Sequence, residues 1–122
     1  MLSQLGLMIR LIESYSFGRI IIDGQVYTSD IIIYPDKIDS SWWRLKGHLL
    51  QIDDLRDILD YKPEVLVVGT GAHGLMKVSD AIKKFLESSG IELIVKETEK
   101  ACKTYNMLKE KRKVIAAFHL TC

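Results

Sequence analysis

A glycine-rich segment, GTGAHG at residues 69–74, is the first candidate for chemistry in this sequence. Its glycines, Gly69, Gly71 and Gly74, match the G-x-G-x-x-G pattern of dinucleotide-binding loops. The backbone N–H groups of such a loop could also form a nest for a small anion, with His73 and Lys77 close by in the sequence. The simplest alternative is that the glycines only permit a tight turn with positive φ.

The elements that flank this loop argue against a dinucleotide site. Residues 65–68 form an unbroken apolar run, which is typical of a strand covered on both faces. The best helix N-cap is Ser79, five residues beyond the last glycine, whereas the dinucleotide fingerprint starts its helix within the glycines. With a second strand at 91–95, the pattern predicts a strand–helix–strand crossover in which no helix begins at the loop. We expect the amides of residues 69–74 to turn outward into an open hollow, because no helix begins there to occupy them. Whether they hold an anion as a nest or only form a plain turn remains open, and no cofactor is expected.

A second group of candidate residues is Trp42-Trp43-Arg44, followed by His48. Adjacent tryptophans in an extended segment point to opposite sides, so we expect one in the core and one nearer the surface. Arg44 could bind a carboxylate or phosphate through its guanidinium, or could simply stack on a tryptophan. His48 could transfer a proton, or could be a structural histidine bonded to backbone carbonyls.

Clustered carboxylates and the two cysteines are weaker candidates. A short helix predicted at 53–61 carries an acidic face, which is more typical of a solvated surface than of acid–base catalysis. That face is formed by Asp53, Asp54, Asp57 and Asp60. Cys102 and Cys122 have neither metal-site spacing nor a disulfide framework, so we expect a reduced, cytoplasmic, soluble protein without a metal site.

Length and composition limit the functional classes. With 122 residues, a net charge of +1 and 48% hydrophobic residues, the chain fits one domain and is neither disordered nor a basic nucleic-acid binder. The apolar residues 1–12 are too short to span a membrane. We interpret them as an N-terminal extension, with a processed signal peptide as the alternative, and place the domain at 13–122.

The remaining patterns complete an α/β protein. Asp23-Gly24 between two apolar runs predicts a β-hairpin with a type I′ turn. A strand is expected at 31–34, a helix at about 98–110 and a last strand at 114–120.

Taken together, these segments resemble one family. They are the Asp-Gly hairpin, Trp-Trp-Arg before Gly47-His48, the GTGAHG loop, Thr104-Tyr105-Asn106 and the AAFHLTC segment at 116–122. The chain is similar to the adipogenesis-associated "Mth" domain family, a domain of unknown function with a eukaryotic branch that is a mitochondrial assembly factor for respiratory complex I. The resemblance implies a compact three-layer α/β domain with a mixed central sheet and a small accessory β-hairpin layer.

Two functions follow as hypotheses. The first is a non-enzymatic interaction or assembly module with a protein partner. The alternative is a binder of a small anion, carboxylate or phosphate, or an unrecognised enzyme, in which the glycine loop, Arg44 and the start of the last helix border one cleft. An edge strand of the hairpin is compatible with a homodimer. The hypothetical cleft residues are Trp43, Arg44, His48, Gly69, Gly71, His73, Gly74, Lys77, Tyr105 and Asn106.

Overall fold

The fold is seen in a computed structural model, which describes residues 11–44 and 46–122. In chain order its elements are β1 (Ile12–Ser16), β2 (Arg19–Ile22), β3 (Gln25–Tyr27), β4 (Ile31–Ile33), β5 (Ile38–Asp39), a 3₁₀ helix (Ile52–Leu55), α1 (Arg56–Asp60), β6 (Val65–Thr70), α2 (Asp80–Ser88), β7 (Glu92–Lys96), α3 (Thr98–Leu108) and β8 (Val114–His119).

A five-stranded mixed sheet with the order β5-β4-β8-β6-β7 forms the centre of the molecule. β6 lies parallel to both β7 and β8, while β4 pairs antiparallel with β8. All six residues of β6 are buried, as its unbroken apolar run predicts. Because strand side chains alternate, Val65 and Val67 enter one hydrophobic core and Leu66 and Val68 enter the other.

The first outer layer combines α3 with the antiparallel sheet β1-β2-β3. The predicted hairpin is present, with φ of 51° at Asp23 and 83° at Gly24, as a type I′ turn requires. Ile12, which the sequence interpretation assigned to the N-terminal extension, is instead the first residue of β1 and is buried in this core. Residues 1–10 of that extension lie outside the described part of the chain.

The second outer layer contains the 3₁₀ helix, α1 and α2. Ser79 caps α2 as predicted, because its Oγ accepts a hydrogen bond from the backbone N–H of Ile82 at 3.3 Å. Ile82 and Leu86 then pack on the sheet. The three layers and the small accessory sheet confirm the predicted architecture. Within residues 11–44 and 46–122, every helix is too short or too polar to cross a membrane.

Candidate functional site

Asp30 forms the centre of a polar cluster at one end of the central sheet. Its Oδ2 accepts hydrogen bonds from Nη2 of Arg44 and Nδ1 of His119, both at 2.8 Å. Its Oδ1 accepts from the backbone N–H of Leu120 at 2.7 Å. Burial raises the pKa of Asp30, but the hydrogen bonds from His119, Leu120 and Arg44 outweigh that effect and hold its pKa below the usual value. Asp30 is therefore a carboxylate at neutral pH.

Arg44 connects this carboxylate to two other parts of the fold. Its guanidinium lies 4.5 Å above the ring of Trp42, so the stacking alternative is the one observed. Its Nε and Nη2 also donate to the carbonyl of Gly47, at 3.2 and 3.1 Å. Arg44 is buried. Trp42 is buried as well, whereas Trp43 is 75% exposed, so the expected division of the two tryptophans is confirmed.

The turn that carries His48 is held from two sides. Besides the contact of Arg44 with Gly47, the backbone N–H of Lys77 donates to the carbonyl of His48 at 2.8 Å. The exposed His48 ring consequently lies 5.7 Å from the buried ring of His119, measured between centroids. One ring nitrogen of each histidine and the sulfur of Cys122 lie within 4.8 Å of one another. These three side chains could hold a metal ion.

The glycine loop is closed by the chain that follows β8. No helix begins at the loop, as predicted, but the prediction of an outward-facing hollow of free amides is wrong. The backbone N–H of Ala72 donates to the carbonyl of Thr121, and that of Leu75 to the carbonyl of Cys122, both at 3.3 Å. Gly71 donates to Oγ1 of Thr98 at 2.8 Å. The physical reason is that residues 121–122 cross the loop and satisfy donors that an anion would need.

The local structure explains why glycine occupies each of these three positions of the loop. Gly71 has φ of 109°, and a Cβ added there would collide with the carbonyl oxygen of Thr121. A Cβ at Gly69 would lie 2.8 Å from Oγ1 of Thr98. Gly74 has φ of 69°. The exposed His73 lies beside the glycines, with its ring centroid 6.5 Å from that of Phe17.

The structure separates two predicted cleft residues from the others. Oδ1 of Asn106 accepts from the backbone N–H of Ile12 at 3.0 Å, and its Nδ2 donates to the carbonyl of Ile12 at 2.8 Å. Asn106 thus fastens α3 to β1. Tyr105 is buried between α3 and the sheet, whereas Trp42 under Arg44 belongs to the core on the opposite face. Tyr105 and Asn106 therefore do not share a cleft with Arg44, whereas the start of the helix, at Thr98, contacts the glycine loop and donates to the carbonyl of His119.

Sequence reasoning passed over Asp30 and His119. An isolated aspartate directly before the apolar triplet of β4, and a histidine that ends a fully buried strand, were the available signals. Buried polar side chains need partners, so each of them implied the presence of another polar group nearby. Their separation of 89 positions along the chain hid the pairing.

The chain is similar in sequence to a protein that has been named. A NADH dehydrogenase (ubiquinone) 1 alpha subcomplex assembly factor 3 from Xenopus tropicalis is 31% identical over 109 residues. That match covers 87% of this chain and 58% of the relative, so the chain spans little more than half of the relative's length.

Solved structures show the same fold. A conserved hypothetical protein from Pyrococcus horikoshii OT3 aligns with a TM-score of 0.79 and 34% identity, covering 91% of this chain and 98% of its own. A Mth938-like domain from Bordetella pertussis aligns with a TM-score of 0.64 and 21% identity, covering 91% and 85%. A family described as "protein of unknown function (DUF498/DUF598)" matches residues 12–119. The chain therefore belongs to the DUF498/DUF598 family.

Proposed function

We propose that this protein is a non-enzymatic interaction module that binds a protein partner during the assembly of a larger complex. The similarity to a relative named as an assembly factor supports this role. A cytoplasmic location, expected from the unpaired cysteines, belongs to the same proposal. A contact between two copies through the edge of the small sheet is a secondary part of it.

The observation that carries the proposal is the exposure of Trp43. Three quarters of this side chain is accessible, while the adjacent Trp42 is buried and donates from its Nε1 to the carbonyl of Asp54 at 3.3 Å. A tryptophan side chain has only two rotatable bonds, so it loses little entropy on binding, and tryptophan is enriched among the residues that dominate interface energies.

The groove beside Trp43 indicates the chemistry of the partner. Trp43 and the buried Trp42 line it together with the 3₁₀ helix and α1. Four aspartates and one arginine, Arg56, are among the residues that line it, so the groove has an excess of negative charge. Charge complementarity favours a basic segment, in which a lysine or arginine could stack on the indole of Trp43. The four carboxylates are those of Asp39, Asp53, Asp54 and Asp57.

The test uses arginine- and lysine-rich peptides as probes. Binding is followed by tryptophan fluorescence and by calorimetry at low and physiological salt. We expect binding that weakens as salt rises, and at least a roughly 10-fold loss in the Trp43→Ala variant, which corresponds to about 1.4 kcal/mol. Asp57→Asn should weaken binding by a smaller factor.

The matched control is Met107→Ala. Met107 is 74% exposed, like Trp43, but lies on α3 in the other outer layer. This variant should bind the peptides as the original chain does. Equal affinity of the Trp43→Ala variant, or an equal loss in the Met107→Ala variant, would contradict the proposed surface.

The binding of a small anion at the glycine loop has weaker support. The loop amides of Gly71, Ala72 and Leu75 already donate to protein oxygens, and the guanidinium of Arg44 is paired with Asp30. An anion would have to displace residues 121–122 before reaching these donors. A thermal-shift screen with phosphate and carboxylates should accordingly leave the melting temperature unchanged.

A further inference from the structure

Two buried nitrogens of the polar cluster, Nη1 of Arg44 and Nε2 of His119, lack a hydrogen-bond partner among the described residues, and only Nε2 of His119 can be a metal ligand. His119 is 6% exposed, and its Nε2 has no partner among the described residues. Its Nδ1 lies 2.8 Å from Oδ2 of Asp30, closer than the 3.2 Å to Nη2 of Arg44, and a carboxylate only accepts hydrogen bonds. The proton of a neutral imidazole is therefore on Nδ1, which leaves Nε2 with a buried lone pair. Such an atom requires a donor or a cation.

Two side chains of the metal-ligating type lie close to the His119 ring. Ring nitrogens of His48 and His119 and the sulfur of Cys122 lie within 4.8 Å of one another. Tetrahedral zinc with bond lengths of about 2.0–2.3 Å needs ligand separations of roughly 3.5 Å. Closing this difference requires movement of about 1 Å by the ligand atoms, and the exposed side chain of His48 is free of the core packing that would resist it.

We propose that His48, His119 and Cys122 bind a thiophilic divalent metal ion of the zinc class. Imidazole nitrogen and thiolate sulfur are ligands that zinc prefers, in contrast to the oxygen-seeking magnesium and calcium ions. The ion would satisfy Nε2 of His119. Three protein ligands leave a fourth position for water, on the side where His48 faces solvent.

Asp30 supports the site through its hydrogen bond with Nδ1 of His119, the ring nitrogen that does not bind the ion. A carboxylate that accepts from the distal N–H of a metal-bound histidine fixes the ring and makes its other nitrogen a better ligand. The arrangement of Asp30 and His119 already has this form before any ion binds. The charge of Arg44 is balanced by Asp30. Binding of the ion would release the thiol proton of Cys122, and the sulfur would then offset part of the charge of the ion.

In this proposal the glycine loop holds the segments that carry Cys122 and His48. Residues 121–122 are held against the loop by hydrogen bonds from Ala72 and Leu75, and the missing side chain of Gly71 makes room for them. The carbonyl of His48 accepts from the N–H of Lys77, just beyond the same loop. The loop segment therefore helps to position two of the three ligands through backbone hydrogen bonds.

The test is a Co²⁺ titration of the reduced, metal-free full chain without a polyhistidine tag. Cobalt takes zinc-type sites, and a bound thiolate adds a charge-transfer absorption. We expect one Co²⁺ per chain with that absorption, and its displacement by Zn²⁺. Cys122→Ser should abolish the absorption. His48→Ala should lower the affinity for Zn²⁺ on the order of 100-fold, measured against a chromophoric chelator.

The controls carry the same residue types outside the cluster. Cys102→Ala and His73→Ala should bind both ions as the original chain does. Zn²⁺ should also protect Cys122 from iodoacetamide in the original chain and fail to do so in His48→Ala. The absence of a thiolate–cobalt absorption at one equivalent, its persistence in Cys122→Ser, or its equal loss in Cys102→Ala would overturn the proposal.

Discussion

Replacing Asp30 by asparagine should destabilise the fold by about 3–5 kcal/mol, because it leaves the charge of Arg44 buried without a counter-charge. The side chain of Arg44 is 4% exposed and that of Asp30 is 19% exposed, so water cannot replace the lost carboxylate. The amide also keeps only one acceptor oxygen for the three donors that Asp30 serves, which are Arg44, His119 and the backbone of Leu120.

A matched substitution exists on the surface. Asp53 pairs with Arg56 at 3.3 Å, with side chains that are 69% and 75% exposed. Asp53→Asn makes the same chemical change where solvent screens the charges, so its cost should stay below about 1 kcal/mol. Urea unfolding of both variants at pH 7, followed by circular dichroism, gives the two free energies of unfolding on one scale.

A double-mutant cycle of Asp30 and Arg44 gives a second measurement of the same ion pair. In the double variant Asp30→Asn/Arg44→Gln the buried charge is gone, so its destabilisation should be smaller than the sum of the two single costs. Equal costs for Asp30→Asn and Asp53→Asn, or strictly additive costs for Asp30 and Arg44, would refute the assignment of a buried, coupled ion pair.

Two further predictions concern the glycine loop and a buried thiol. Gly71→Ala should cost about 1–3 kcal/mol more than Gly90→Ala in urea unfolding, because both positions have positive φ but only at Gly71 would the new Cβ collide with another segment; equal costs would contradict the close approach of residues 121–122. Burial, with a smaller effect of Glu99, raises the pKa of Cys102 from 9.0 to about 12. Above pH 9 the unfolded chain loses this proton while the folded chain keeps it, so the free energy of unfolding should fall by up to about 1.4 kcal/mol per pH unit. Cys102→Ala should show a shallower decline between pH 9 and 10. An identical slope in the two proteins would contradict the raised pKa.

Several elements could be predicted because their signals are local. The apolar run of β6, the Asp23-Gly24 turn and the Ser79 cap each depend on residues a few positions apart. The periods of two residues for strands and 3.6 for helices encode which side chains share a face. The family resemblance extended these local signals to the three-layer arrangement.

The composition of the candidate site depends on contacts that no local spacing encodes. The first strand, β1, was missed, because the apolar residues before it made Ile12 look like part of an extension. The glycine loop was interpreted as an open hollow, because nothing in its own residues shows that residues 121–122 cross it.

The sequence by itself determined the order and type of most elements, and the division of Trp42 and Trp43 between core and surface. The tertiary structure alone decided that Asp30 joins Arg44 to His119, and that His48 and Cys122 converge beside them. The physical reason is that β4 and β8, which are far apart in the sequence, are paired in the sheet. This pairing brings the ends of distant segments together at one end of the sheet.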